Sequence, residues 1–140
     1  MATLHLMVGL PCSGKTTKAK KLEKKYNAIL LSREIRQSEL FGEEAESIMW
    51  DHASRVLRLG LDVILDFGFW FRAERESYCR RAGELGVDVK IHYMDVPLNT
   101  LYKRLAKRNE KAPAGTIKIS KDDMDRYVSI FQPPGRDEPG

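Results

Sequence analysis

The sequence predicts an α/β domain in which a mostly parallel sheet carries helices on both faces. Three observations predict it: short apolar runs recur along the chain, a segment of helical periodicity follows each of them, and 140 residues is the size of one domain. Composition agrees, since 42% hydrophobic residues suffice for a core, while 31% charged residues of both signs are unlike a disordered chain.

The first strand is read at Thr3–Val8, followed by a helix from about Lys15 to Tyr26. On that helix Ala19, Leu22 and Tyr26 share one face, and Lys18, Lys20, Lys21, Lys24 and Lys25 occupy the rest. Ala28–Leu31 is the second strand. From Glu43 to Leu59 the residues Ala45, Ile48, Met49, His52, Val56 and Leu59 keep 3.6-residue spacing, with Glu43 and Glu44 in the first turn and Gly60 as a stop. Lying on that stripe, His52 is expected in the core. Val63–Asp66 is the third strand and Phe71–Leu85 the next helix, its Tyr78, Cys79, Ala82 and Leu85 facing inward and Gly86 closing it. Val87–Met94 is the fourth strand. Pro97 suits a first helical position, after which Leu98, Leu101 and Leu105 form a packed stripe, with Lys103, Arg104, Lys107, Arg108 and Lys111 elsewhere on the helix. Asn109–Thr116 reads as a loop, Ser120 as the cap of a last helix helped by Asp122 and Asp123, and Gln132–Gly140 as an irregular tail with three prolines and two glycines. Residues 1–140 thus read as a single domain, without repeat or linker.

The most specific chemical signal is Gly9-Leu10-Pro11-Cys12-Ser13-Gly14-Lys15-Thr16, which matches G-x-x-x-x-G-K-[ST] between a strand and a helix. Backbone N–H groups in such a loop and at the helix start hold polyphosphate oxygens, and glycines let the chain approach them closely. Gly9, Pro11, Cys12, Ser13, Gly14, Lys15, Thr16 and Thr17 are therefore the expected nucleotide-binding residues. Lys15 would reach the β- and γ-phosphates and Thr16 would ligate Mg²⁺. Cys12 is expected to be an inert small residue. Asp66 ends an apolar strand, where such a carboxylate holds Mg²⁺ directly or through water.

A phosphoryl transferase also needs a carboxylate that orients the acceptor and cations that converge on the γ-phosphate. Glu34, after the second strand, can accept a proton from an acceptor hydroxyl with Arg33 or Arg36 holding an anionic part of it. The same residues also read as a solvated helix start. Arg104 and Arg108, at i and i+4 before the 109–116 loop, read as lid cations over the phosphates, or as a solvated basic face. Phe131, Pro133 and Pro134 read either as an apolar wall for a base or as terminal docking against the core.

No apolar run approaches membrane-spanning length, and MATLHLMVGL lacks the basic start and cleavage site of a signal peptide. Two distant cysteines, Cys12 and Cys79, make neither a metal knuckle nor a disulfide framework, so Cys79 is expected to pack in the core. A soluble, cytoplasmic protein is expected, without a membrane partner. The net charge of +4 suits a phosphate-bearing ligand without itself indicating nucleic acid.

With these residues assembled, the chain resembles the small P-loop kinases grouped around the kinase domain of bacteriophage-type polynucleotide kinase. The resemblance runs through GLPCSGKTT, LSREIR, VILDFGFW, AERES and DVPLNTLYKRLAKRN. It implies a three-layer P-loop NTPase fold with strand order 2-3-1-4, a lid over about residues 97–116, Glu34 in the place of the family's base and Arg104 and Arg108 in the places of its lid arginines. Those relatives usually carry aspartate as the base. After the strand-three aspartate they resemble D-T-N, where this chain has Phe67-Gly68-Phe69-Trp70, an aromatic patch that reads as core packing or as a platform for a different acceptor. The implied activity is transfer of the γ-phosphate of ATP, with Mg²⁺, to a hydroxyl acceptor, a small molecule. The alternatives are a 5′-hydroxyl polynucleotide kinase and a non-kinase ATPase or nucleotide-dependent switch. Nucleic acid is a possible but less favoured partner, and the sequence leaves oligomeric state open.

Overall fold

Each predicted apolar run becomes a strand. The computed structural model describes residues 2–32, 35–114 and 118–140, with only the helical backbone of residues 35–43. In chain order the elements are β1 (Thr3–Val8), α1 (Lys15–Tyr26), β2 (Ile29–Ser32), α2 (Ile35–Arg58), β3 (Val63–Gly68), α3 (Arg72–Leu85), β4 (Asp88–Tyr93), α4 (Leu98–Lys111) and α5 (Lys121–Ile130). The four strands form one sheet in the order β2-β3-β1-β4, and every neighbouring pair is parallel. This is the expected three-layer α/β fold. β1 and β3 are central and almost wholly buried, whereas β2 and β4 form half-exposed edges, which is why the two central runs are the most continuously apolar.

Side chains alternate across the sheet with a period of two. Leu4, Leu6, Val63 and Leu65 pack with Ala53 and Leu57 of α2 and with Tyr78 and Ala82 of α3. Met7 and Ile64 face the opposite way, onto Ala19 and Leu22 of α1. By the same parity Asp66 lies on the α1 side, where α1 begins. A third cluster joins Leu10, after β1, to Leu101 and Leu105 of α4 and to Met124 and Tyr127 of α5. Ser120 caps α5 as expected: its hydroxyl accepts from the Asp123 amide, and the Asp123 carboxylate accepts from the Ser120 amide.

Several expectations need correction. α2 starts at Ile35 rather than Glu43 and runs through Gly42, a glycine that costs a helix about 1 kcal/mol without having to end it. Its buried line passes through Ala53 and Leu57, so His52, Ile48 and Leu59 are exposed instead of inward. The buried histidine is His5, whose Nδ1 lies 2.9 Å from His92 Nε2 and whose Nε2 lies 3.0 Å from Asp62 Oδ2. Tyr26 is 38% exposed and stacks on the His5 ring rather than entering the core. Phe71 caps α3 from outside the helix, Cys79 is only half-buried, and α4 continues through Asn109 to Lys111. Among the described residues no helix is long and apolar enough to cross a membrane.

Candidate functional site

At the carboxyl end of the sheet, β1 leaves the core and turns through Gly9–Gly14 into α1. The Gly9 N–H donates to the Gly68 carbonyl at 3.0 Å and the Ser13 N–H to the Leu10 carbonyl at 3.2 Å, so the loop is pinned at both ends. Gly9 has no room for a side chain, because a Cβ there would meet Ser13 Oγ at 2.6 Å and Met94 Cβ at 3.3 Å. Cys12 and Gly14 have φ of 68° and 86°, the left-handed turn that folds the loop back on the helix axis. Gly14 gives α1 no side-chain cap, and the first turn holds no acidic residue. The first amides and the positive end of α1 are therefore left for an anion from outside.

Three side chains converge there. Asp66 is 2% exposed, and its Oδ2 accepts the Thr16 hydroxyl at 2.8 Å. Its Oδ1 lies 3.1 Å from Lys15 Nζ, an ion pair that is not aligned as a hydrogen bond. Ser13 Oγ is buried with no hydrogen-bond partner among the described residues. Pro11 is buried in the loop, and Thr17 is exposed on α1. A buried carboxylate with an incompletely satisfied oxygen beside a hydroxyl is a donor set of the hard-oxygen kind that suits Mg²⁺.

From the other side, α4 lays two arginines against this loop. Arg104 Nη1 donates to the Cys12 carbonyl at 3.0 Å, and Arg108 Nη1 lies 3.8 Å from Cys12 Sγ. The two predicted lid cations and the predicted phosphate-binding loop are thus one constellation. Arg33 and Glu34 lie outside the described residues, as do residues 115–117 of the expected lid loop and the side chain of Arg36. Beside Leu10 opens a cavity of about 310 Å³, walled by Tyr93, Val96, Leu98, Phe131 and Pro133. Phe131 stacks on Tyr93, whose phenol is pushed up by burial and then by the neighbouring Asp95 carboxylate. Of the three residues proposed as an apolar wall, the structure brings Phe131 and Pro133 to this cavity and leaves Pro134 out of its lining.

Two further residues near the loop, Arg75 and Glu138, escaped sequence reasoning, and a third, Trp70, reads there as core packing or an acceptor platform and not as a partner of the loop. Trp70 donates its indole N–H to the Gly9 carbonyl, and Arg75, wholly buried, is paired with Glu138 of the tail. A signal for Arg75 was present: Arg75, Tyr78 and Ala82 keep helical spacing, but a stripe sought among apolar residue types starts one turn too late.

Residues 4–134 match the AAA_33 family, an AAA domain. The chain belongs to this family. Membership supports nucleotide binding with kinase or NTPase activity and leaves the acceptor unspecified. No curated protein matches the chain. Among solved structures, this AAA domain is similar to Chaetomium thermophilum Kti12 in complex with ADP-AlF3, at 19% identity and a TM-score of 0.76 over 94% of this chain and 81% of that one. It is also similar to a candidate kinase from Chloroflexus aurantiacus, at 18% identity and a TM-score of 0.74 over 99% and 84%. A chain of the Pnkp1/Rnl/Hen1 RNA repair complex aligns at 23% identity and a TM-score of 0.72 over 91% of this chain, which spans only 43% of that one. At such identities the likeness establishes the fold.

Proposed function

We propose that this AAA domain is an ATP-dependent phosphotransferase that moves the γ-phosphoryl group of ATP to a hydroxyl of a small acceptor. The observation that carries the reading is the convergence of Lys15, Thr16, Asp66, Arg104 and Arg108 on one glycine-bounded loop at a helix start. In this reading the loop amides and the open end of α1 hold the polyphosphate, and Ser13 Oγ gains the partner it lacks. Lys15 exchanges Asp66 for the β- and γ-phosphate oxygens. Thr16 and Asp66 hold Mg²⁺, which when bound neutralises phosphate charge that would otherwise oppose attack. Arg104 and Arg108 supply cations to the charge that develops on the transferring group. The cavity beside Leu10, with Tyr93 and Phe131 on its walls, is of a size and polarity that suit a nucleobase. Glu34 takes the proton of the acceptor hydroxyl. As the acceptor oxygen forms its bond to the γ-phosphorus, the bond to the β–γ bridging oxygen breaks and ADP leaves with that electron pair.

The test is transfer of labelled γ-phosphate from ATP with Mg²⁺ to a panel of sugars, nucleosides, aminoglycosides and 5′-hydroxyl oligonucleotides, with Lys15→Ala as control. Label on a small-molecule class that Lys15→Ala abolishes supports the proposal. Label on oligonucleotides with steep salt dependence replaces it with a polynucleotide kinase. Free phosphate as the sole product across the panel refutes transfer in favour of an NTPase.

A further inference from the structure

The Phe67-Gly68-Phe69-Trp70 segment that follows Asp66 has no part in the chemistry above, yet it is tied to the phosphate loop at two atoms. Gly68 and Phe69 have φ of 88° and 45°, two successive left-handed residues that turn the chain sharply at the end of β3. For Phe69, a residue with a side chain, that conformation is strained, so the surroundings must hold it. The turn presents the Gly68 carbonyl to the Gly9 N–H at 3.0 Å and the Trp70 indole N–H to the Gly9 carbonyl at 3.0 Å. Both backbone polar groups of Gly9 are therefore held by the β3–α3 turn. The fit leaves no spare room, since a Cβ on Gly68 would meet Trp70 Nε1 at 3.1 Å and the Gly9 carbonyl oxygen at 3.3 Å.

The other carbonyls of the turn are held in their own way. The Phe69 carbonyl accepts Arg75 Nη1 at 2.8 Å, and the Trp70 carbonyl accepts the Gln132 N–H at 2.8 Å. Arg75 turns Nε and Nη2 to the Glu138 carboxylate, at 2.7 Å and 3.2 Å, and Glu138 also accepts the Gly135 N–H at 2.8 Å. Arg72 donates its backbone N–H to Gln132 Oε1 at 2.8 Å and pairs through its guanidinium with Asp137. Residues 132–138 thus form a strap across the turn, and the Trp70 ring lies 4.7 Å from the Tyr127 ring of α5.

We propose that Trp70 is a positioning residue for the phosphate loop: its indole N–H fixes the Gly9 carbonyl, and the C-terminal strap, fastened to Arg72 and Arg75, fixes the turn that carries Trp70. The proposal rests on the reading of Gly9–Thr16 as a nucleotide phosphate site. Trp70 touches the loop backbone and acts on phosphate only through it. Its removal should therefore weaken polyphosphate binding more than nucleoside binding.

The chain has two tryptophans, and Trp50 packs on Tyr78 and Arg81, away from the loop. In Trp50→Phe, where Trp70 is the sole tryptophan, MgADP should shift the indole emission and adenosine at equal concentration should not. Trp70→Phe keeps a ring against Tyr127 and deletes the donor, so calorimetric titration with MgADP should give a Kd raised about 2–10-fold, the worth of one net hydrogen bond. Removal of residues 135–140 should raise it comparably. MgADP that binds without moving Trp70 emission, or an unchanged Kd in folded Trp70→Phe, overturns the proposal and leaves the nucleotide site standing. No MgADP binding by the wild-type chain overturns both.

Discussion

Replacing Glu138 by alanine tests the strap at its most buried joint. Arg75 is fully buried and Glu138 is 6% exposed at its side chain, so the pair is dry on one side and near water on the other. Glu138→Ala removes two charge-assisted bonds from Arg75 and one from the Gly135 amide, leaving the guanidinium only the Phe69 carbonyl among the contacts described above. Losing one partner of a buried pair costs about 3–5 kcal/mol. Water reaching Arg75 as the tail loosens places the expected loss at the lower end, about 3 kcal/mol. With an unfolding entropy of about 2.1 cal/mol/K per residue, a chain of this length should then melt about 10 °C lower. Thermal and urea melts of wild type, Glu138→Ala, Arg75→Met and the double variant measure this, and the double variant should recover much of the loss because no charge remains buried alone. The Arg75 hydrogen bond, working against burial, holds the Glu138 carboxyl below its ordinary 4.5. Its contribution is therefore present above pH 4.5 and lost as pH falls through the lowered value, so wild type and Glu138→Ala should converge in acid. A melting temperature within about 2 °C of wild type, or additive single losses, refutes the buried-pair reasoning.

Three other outcomes are open to measurement. Glu34→Gln should leave ATP affinity nearly intact and lower transfer roughly 10²–10⁴-fold; normal transfer would take the base role from Glu34. Arg108→Ala should slow single-turnover transfer more than it weakens ground-state ATP binding, whereas equal losses in both would make it an ordinary binding residue. His92 is pushed down to about 4 by burial, then by His5, Lys90 and Lys18, so the folded chain binds fewer protons than the unfolded one between pH 4 and the ordinary 6.5. Stability should rise with pH across that window and fall as pH drops through it, and His92→Asn should flatten the melting temperature there; an unchanged slope would refute it.

What the sequence made legible follows physical periodicity. β1 and β3 stood out because central parallel strands are apolar on both faces, and the loop between β1 and α1 stood out because phosphate binding demands glycine, lysine and threonine at fixed spacing. Asp66 was legible as a carboxylate closing an apolar run, although β3 continues through Phe67 to Gly68, and Arg104 with Arg108 as a one-turn pair, although only the structure brings both onto Cys12. The α2 stripe was misplaced because His52, Ile48 and Leu59 keep helical spacing as well as Ala53 and Leu57 do, and small alanines bury without advertising themselves. Contacts between Arg75 and Glu138, 63 residues apart, carry no local pattern at all.

The aromatic patch after Asp66 bears on which acceptor the proposed phosphotransferase can take. Two uses for it were open on the sequence, core packing and a stacking platform for an acceptor base. The structure divides it: Phe67 and Phe69 enter the sheet core, and Trp70 sits between Gly9 and Tyr127. A base stacked on the Trp70 face now covered by Tyr127 would have to displace that ring, and a base that pulled the indole aside would release Gly9. On the proposal above, this tryptophan is already committed to shaping the phosphate loop. On the proposed reading, an acceptor that leaves Trp70 on Gly9 is held by groups other than the Tyr127-facing side of this tryptophan, and that is the ground on which the proposal takes a small hydroxyl compound over an oligonucleotide.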